Sequence, residues 1–166
     1  LSWLTRRQHI HKICWLNRVI SDALSTNPDM LAITGDLTNL GSLVEFQHAR
    51  QWLDGQNLPP TLIVPGNHET LVREKHAEKC ALWAPWLHPA ALYPQLSSLT
   101  AGNVILIGLN TACPSLPFHA TGTIGKTQLD QLASSLRDAR SKGLCRVLLL
   151  HHPPVHNLVI WRKRLK

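Results

Sequence analysis

The chain has 166 residues, 44% apolar and 16% charged, against a usual charged share of about 25%. It can therefore bury a core, and neither a disordered chain nor a multidomain protein is expected. The net charge of +7 is concentrated at the ends, in Arg6, Arg7, Lys12, Arg18, Arg162, Lys163, Arg164 and Lys166, while residues 19–161 are close to neutral, which excludes a uniformly basic nucleic-acid binder.

Apolar Ile13, Leu16, Ile20 and Leu24 recur at spacings of three and four between Thr5 and about Ser25, opposite Arg7, His11, Arg18 and Asp22. That is the pattern of an amphipathic helix. Asn27-Pro28 stops it, and the run Met30 to Thr34 ends at Gly35 as a buried strand would. Leu43, Phe46, Ala49 and Leu53 predict a second helix that closes near Gly55, and Thr61 to Val64 predicts a second strand ended by Pro65-Gly66.

Residues 70–83 have helical character, and the Trp-, Pro- and Leu-rich stretch Ala84 to Leu99 is expected to be an irregular loop or insertion. Val104 to Leu109 reads as a strand, Lys126 to Ser141 as a helix ended by Gly143, and Arg146 to Leu150 as the last strand. Alternating strands and helices argue for an α/β domain with most strand pairs parallel.

Cys14, Cys80, Cys113 and Cys145 form no CxxC pair, so buried free thiols are expected. There is no recognisable signal peptide and no apolar run near the length of a membrane span, so a cytoplasmic location is expected. The basic ends could touch an anionic membrane surface, although a solvated helix face is the plainer reading, and no nucleic-acid or protein partner is indicated.

The polar residues that carry chemistry follow the strands. Gly35-Asp36-Leu37-Thr38-Asn39 follows the first, Pro65-Gly66-Asn67-His68-Glu69 the second, and His151-His152-Pro153-Pro154 the last. In an α/β sheet the loops at the carboxyl ends of strands line one crevice, where ligands bind. A carboxylate, an amide oxygen and imidazole suit a divalent metal such as Mn, Fe, Mg or Zn. A carboxylate with two oxygens can also bridge two cations roughly 3.5–4 Å apart. Taken singly, each residue has an ordinary structural explanation: Asp36 as a helix cap, Asn67 as a turn residue, His152 as a hydrogen-bonded core or surface histidine. Their joint arrival favours the metal.

These segments resemble the motifs of the calcineurin-like metallophosphoesterases, in the bacterial cyclic-nucleotide-phosphodiesterase-like branch. Gly35-Asp36-Leu37-Thr38-Asn39 is similar to G-D-x-x-D/N, Gly66-Asn67-His68-Glu69 to G-N-H-D/E, and His151-His152-Pro153-Pro154 to the strand-end histidine motif. Gly122-Thr123-Ile124-Gly125, leading to Gln128-Leu129, resembles the same branch. The resemblance implies an α/β sandwich with metal-binding loops at strand ends and a binuclear centre in the complete domain. It implies that Asp36 bridges the metals, that Asn67 and His152 are ligands, with His151 as the fallback, and that His68 approaches the phosphate and stabilises or protonates the leaving oxygen. The implied reaction is hydrolysis of a phosphodiester or phosphomonoester by in-line attack of a metal-activated water.

Two family motifs are missing. No Asp is followed two places later by His, so D-x-H is absent, and G-H-x-H is absent as well; His9 and His11 form the only H-x-H and fall within the predicted first helix, as surface residues. Both motifs would lie just outside this sequence, which starts at Leu1 and stops in the charged run Trp161 to Lys166. A single partial domain over residues 1–166 is therefore expected, with an inactive remnant of such an enzyme as the alternative function.

Overall fold

The computed structural model describes residues 12–72, 76–87, 96–114 and 119–155. The order of elements is α1 (Ile13–Leu24), β1 (Leu31–Ile33), α2 (Leu43–Asp54), β2 (Thr61–Ile63), α3 (His76–Leu82), α4 (Ala84–Leu87), β3 (Ser97–Ala101), β4 (Val104–Gly108), α5 (Lys126–Ser141) and β5 (Cys145–Leu149). Among the described residues no helix is long and apolar enough to cross a membrane.

The strands form two sheets. β1 and β2 pair in parallel, Leu31 opposite Thr61 and Ile33 opposite Ile63, with α2 as the crossover. In the second sheet β4 pairs antiparallel with β3 and parallel with β5. The β3–β4 hairpin turns at Gly102-Asn103, where Gly102 takes φ +53 without a Cβ penalty.

β2 is the centre of the packing because its side chains alternate between two cores. Ile63 faces Phe46, Ala49 and Leu53 of α2 together with Trp83 and Leu87. Leu62 and Val64 face Leu106 of β4 and Leu149 of β5. The two sheets are thus held face to face by β2, and the exits of β1, β2 and β5 are brought to one end.

The strand and helix expectations hold to within a residue or two, with the first helix described only from Ile13, except over residues 70–83, where a 3-10 turn at His68–Thr70 comes first and the helix α3 is His76–Leu82. The stretch Ala84 to Leu99 is not simply a loop: it starts with the short helix α4 and ends inside β3. β3 reads Ser-Ser-Leu-Thr-Ala, too polar to announce itself, and becomes a strand through its hairpin with the apolar β4. The expectation of buried thiols is also corrected. All four cysteines are free, but Cys14 and Cys145 are exposed and Cys80 and Cys113 half-buried, because α1 and the outer strand β5 are covered on few sides. His9, His11, Arg6, Arg7 and residues 162–166 lie outside the described residues.

Candidate metal centre

Gly35 and Asp36 leave β1 with φ of +96° and +59°, two successive residues in the left-handed region. Glycine adopts this freely, whereas Asp is one of the few other residues that does so at modest cost. Gly35 must lack a side chain for a second reason: a Cβ there would run into the backbone of Gly66. The β1 and β2 exits are therefore in direct contact.

Three charged side chains hold the loop that carries Asp36. Glu69 accepts hydrogen bonds from the N–H groups of Asp36 (2.9 Å), Thr38 (2.9 Å) and Gly66 (2.7 Å), and from the Thr38 hydroxyl (3.1 Å). Glu45 accepts from the N–H groups of Asn39 (3.3 Å), Leu40 (3.1 Å) and Ser42 (2.9 Å). Partial burial pushes the Glu45 carboxyl up, but these bonds and the Ser42 hydroxyl outweigh it and hold the group below its usual 4.5. Lys79 of α3, wholly buried, donates to the Gly41 carbonyl (2.8 Å).

Ser42 and Glu45 form a reciprocal capping box at the start of α2. The helix is therefore capped by Ser42, and Asp36 is left to do something else. Its Oδ1 accepts the N–H of His68 (3.1 Å), while its Oδ2 stands 3.6 Å from Nε2 of His151.

Asn67 sits at the start of a single 3-10 turn, His68–Thr70, and its carbonyl accepts from Thr70. Its side-chain Oδ1 points the other way, to 3.2 Å from His151 Nε2. The opposite ring nitrogen of His151, Nδ1, lies 2.6 Å from the Thr34 carbonyl. A carbonyl only accepts, so Nδ1 donates to Thr34 and the ring is turned with Nε2 toward Asp36 and Asn67. Carboxylate oxygen, amide oxygen and imidazole nitrogen thus converge, the atom types with which a divalent cation is ligated once the imidazole nitrogen is free of its proton.

The structure thus brings together Asp36, Asn67 and His151. His152, the expected partner of the first two, makes no hydrogen bond to either. Its Nδ1 hydrogen-bonds with Thr111 Oγ1 at 2.7 Å, its ring is 2% exposed, and its Nε2 is buried without a partner. Burial, with a contribution from His151 and against a counter-pull from Asp36, pushes its pKa down to about 4. The chain bends at these two residues, beyond the end of β5, and their rings meet edge to face with centroids 5.0 Å apart. Gly122 closes over His152, since a Cβ there would overlap the ring.

His68, the expected phosphate-side residue, hydrogen-bonds the Asn39 carbonyl through Nδ1 at 2.5 Å, which leaves its Nε2 available. Among the described residues no three His, Cys, Asp or Glu side chains form a metal-sized cluster; the grouping found here contains two such side chains and an amide. Sequence reasoning missed Thr111 and the bonding of Glu69 to Asp36 and Thr38, which lie 33 and 31 positions away and leave no local signature.

The sequence model of the calcineurin-like phosphoesterase family matches residues 10–165. The glycerophosphodiester phosphodiesterase GpdQ of Enterobacter lignolyticus is 32% identical over 139 residues, covering 81% of this chain and 45% of that protein. A probable cyclic nucleotide phosphodiesterase of Vesicomyosocius okutanii is 30% identical over 146 residues, 88% of this chain and 54% of the relative. A 3',5'-cyclic-nucleotide phosphodiesterase of a Nostoc species is 26% identical over 136 residues, 82% and 45% of the two chains. The chain spans about half the length of the curated relatives it matches.

Proposed function

Because the chain belongs to the calcineurin-like phosphoesterase family, we propose that it serves the metal-dependent hydrolysis of a phosphoester, with Asp36, Asn67 and His151 as cation ligands. The observation that carries this reading is the convergence of Asp36 Oδ2 and Asn67 Oδ1 on Nε2 of His151, a ring held from its other side by the Thr34 carbonyl. His151 takes the place first expected for His152, whose Nδ1 is engaged with Thr111. The chemistry supplied by a bound divalent cation is polarisation of the phosphoryl oxygens and a lowered pKa for an attacking water.

The protein's own part is to hold the ligands and orient the substrate. His68, fixed through Nδ1 by the Asn39 carbonyl, presents Nε2 to the phosphate and, when protonated, donates to the leaving oxygen. Phosphodiesters are favoured as substrates over monoesters because the relatives are named as phosphodiesterases. The second reading is a chain that keeps the fold and binds a cation through Asp36, Asn67 and His151 without turnover.

The test is Mn(II)-dependent hydrolysis of bis(4-nitrophenyl) phosphate by the chain, with Asp36→Asn alongside. Asn tolerates the same left-handed backbone, so the variant keeps the loop and loses the charge. Turnover that falls at least about a hundredfold in the variant supports the enzyme; turnover equal in both defeats the assignment of Asp36. Folded protein that binds Mn(II) without turnover supports the second reading.

A further inference from the structure

Glu69 is 2% exposed and hydrogen-bonds none of the Asp36, Asn67 and His151 side chains, yet it accepts from the backbone of Asp36 and of Gly66, the neighbour of Asn67. Its Oε2 accepts the N–H groups of Asp36 and Gly66, and its Oε1 the N–H and hydroxyl of Thr38. The four donors come from both loops, the one that carries Asp36 and the one that carries Asn67. Asp36 has φ +59°, a conformation that side-chain-bearing residues adopt rarely and that persists only where the surroundings enforce it.

We propose that Glu69 is the positioning residue of this centre, holding Asp36 in its left-handed conformation and fastening the β1 exit to the β2 exit so that Asp36 Oδ2 and Asn67 Oδ1 meet His151. The proposal deepens the cation reading given above and rests on it. A carboxylate is required because both of its oxygens are loaded with donors. An amide in its place accepts at one end only and sets its NH2 against backbone N–H groups at the other, whichever way it is turned. A cap of the 3-10 turn alone would need only the adjacent Gly66 N–H; the bonds across 31 and 33 positions serve the other loop.

The experiment compares Mn(II) binding by the full chain, read from the electron paramagnetic resonance of the free ion, with hydrogen exchange of single amides by NMR. Glu69→Gln is expected to raise the Mn(II) Kd at least about tenfold, the size of effect usual for residues that orient ligands. Thr38→Val removes one hydroxyl donor and leaves the three N–H bonds; its Kd should stay within about twofold even if its Tm falls as far. Glu69→Asp keeps both oxygens one methylene short of their donors and should restore part of the affinity.

In the wild-type chain the amides of Asp36 and Gly66 should exchange at least about tenfold more slowly than that of Gly102 in the exposed hairpin turn. A natively folded Glu69→Gln chain that binds Mn(II) as the wild type does overturns the proposal. Asp36 and Gly66 amides that exchange as fast as Gly102 overturn it as well, without any variant having to fold. A wild-type chain with slow exchange at both amides and no Mn(II) binding defeats the cation reading and leaves the fastening of the loops in place.

Discussion

Nε2 of His151 stands 3.6 Å from Oδ2 of Asp36, although the two residues leave strands of different sheets. The ring is set by the Thr34 carbonyl on its other side, so the strand that delivers Asp36 also orients the histidine that faces it. His151→Ala should raise the Mn(II) Kd at least about tenfold with little change in Tm. His152→Ala should do the reverse, removing a buried ring and the partner of Thr111 at a cost of about 1–3 kcal/mol. Titration calorimetry and thermal melts of both variants check the pair; a larger loss of affinity in His152→Ala would return the ligand role to that residue.

Gly66→Ala should damage the same centre from beneath. A Cβ at this position would lie 2.8 Å from both the Asp36 nitrogen and His151 Cε1, and would overlap Asp36 Oδ1. Backbone has no room to give, so a destabilisation of about 1–3 kcal/mol is expected together with weakened Mn(II) binding. Gly125→Ala, where a Cβ meets open space, is the control that should leave Mn(II) affinity unchanged.

Ser42→Ala should cost about 1 kcal/mol at neutral pH through loss of the α2 cap, a fall in Tm of about 2–4 °C for a chain of this size. The pH dependence follows from Glu45, whose carboxyl is held below 4.5 in the folded state. Its contribution is present above the unfolded value and is lost as pH falls through the folded one. The variant gives up one of the bonds that lower that pKa, so the Tm gap between wild type and variant should narrow below about pH 4.5. Melts at pH 7 and pH 4 check this, and a gap that does not change with pH would separate the cap from Glu45.

Divalent cation should stabilise the fold by mass action. At a free Mn(II) concentration about a hundred times Kd the gain is about 2.7 kcal/mol, or about 5–11 °C in Tm, and a chelator should abolish it. The same titration on Asp36→Asn should give a clearly smaller shift. An equal shift in both would mean that the ion binds elsewhere.

Much of the fold was legible because its strands are short apolar runs that stop at Gly or at Pro-Gly, as at Thr34-Gly35 and Pro65-Gly66. The same punctuation drew attention to Asp36 and Asn67, which directly follow Gly35 and Gly66. β3 was not legible, because Ser97-Ser98-Leu99-Thr100-Ala101 owes its extension to pairing with β4 rather than to its own composition. Nor could the order of two adjacent histidines be read, since the face each presents depends on where β5 ends and on what Thr111 and Gly122, far off in sequence, offer to the second ring. Glu69 was visible as a motif letter only; the donors that define its work come from the other loop.

The separation of these contacts along the chain also orders their assembly. Glu69 reaches Asp36 across 33 positions, with one helix and one strand between, whereas His151 reaches Thr34 across 117. Closing the longer loop costs about 1 kcal/mol more in chain entropy. A chain emerging from the ribosome can make the first connection as soon as residue 69 is free, and must wait for the whole second sheet before it can make the other. Throughout that interval it holds the acid and the amide in register with no imidazole opposite them.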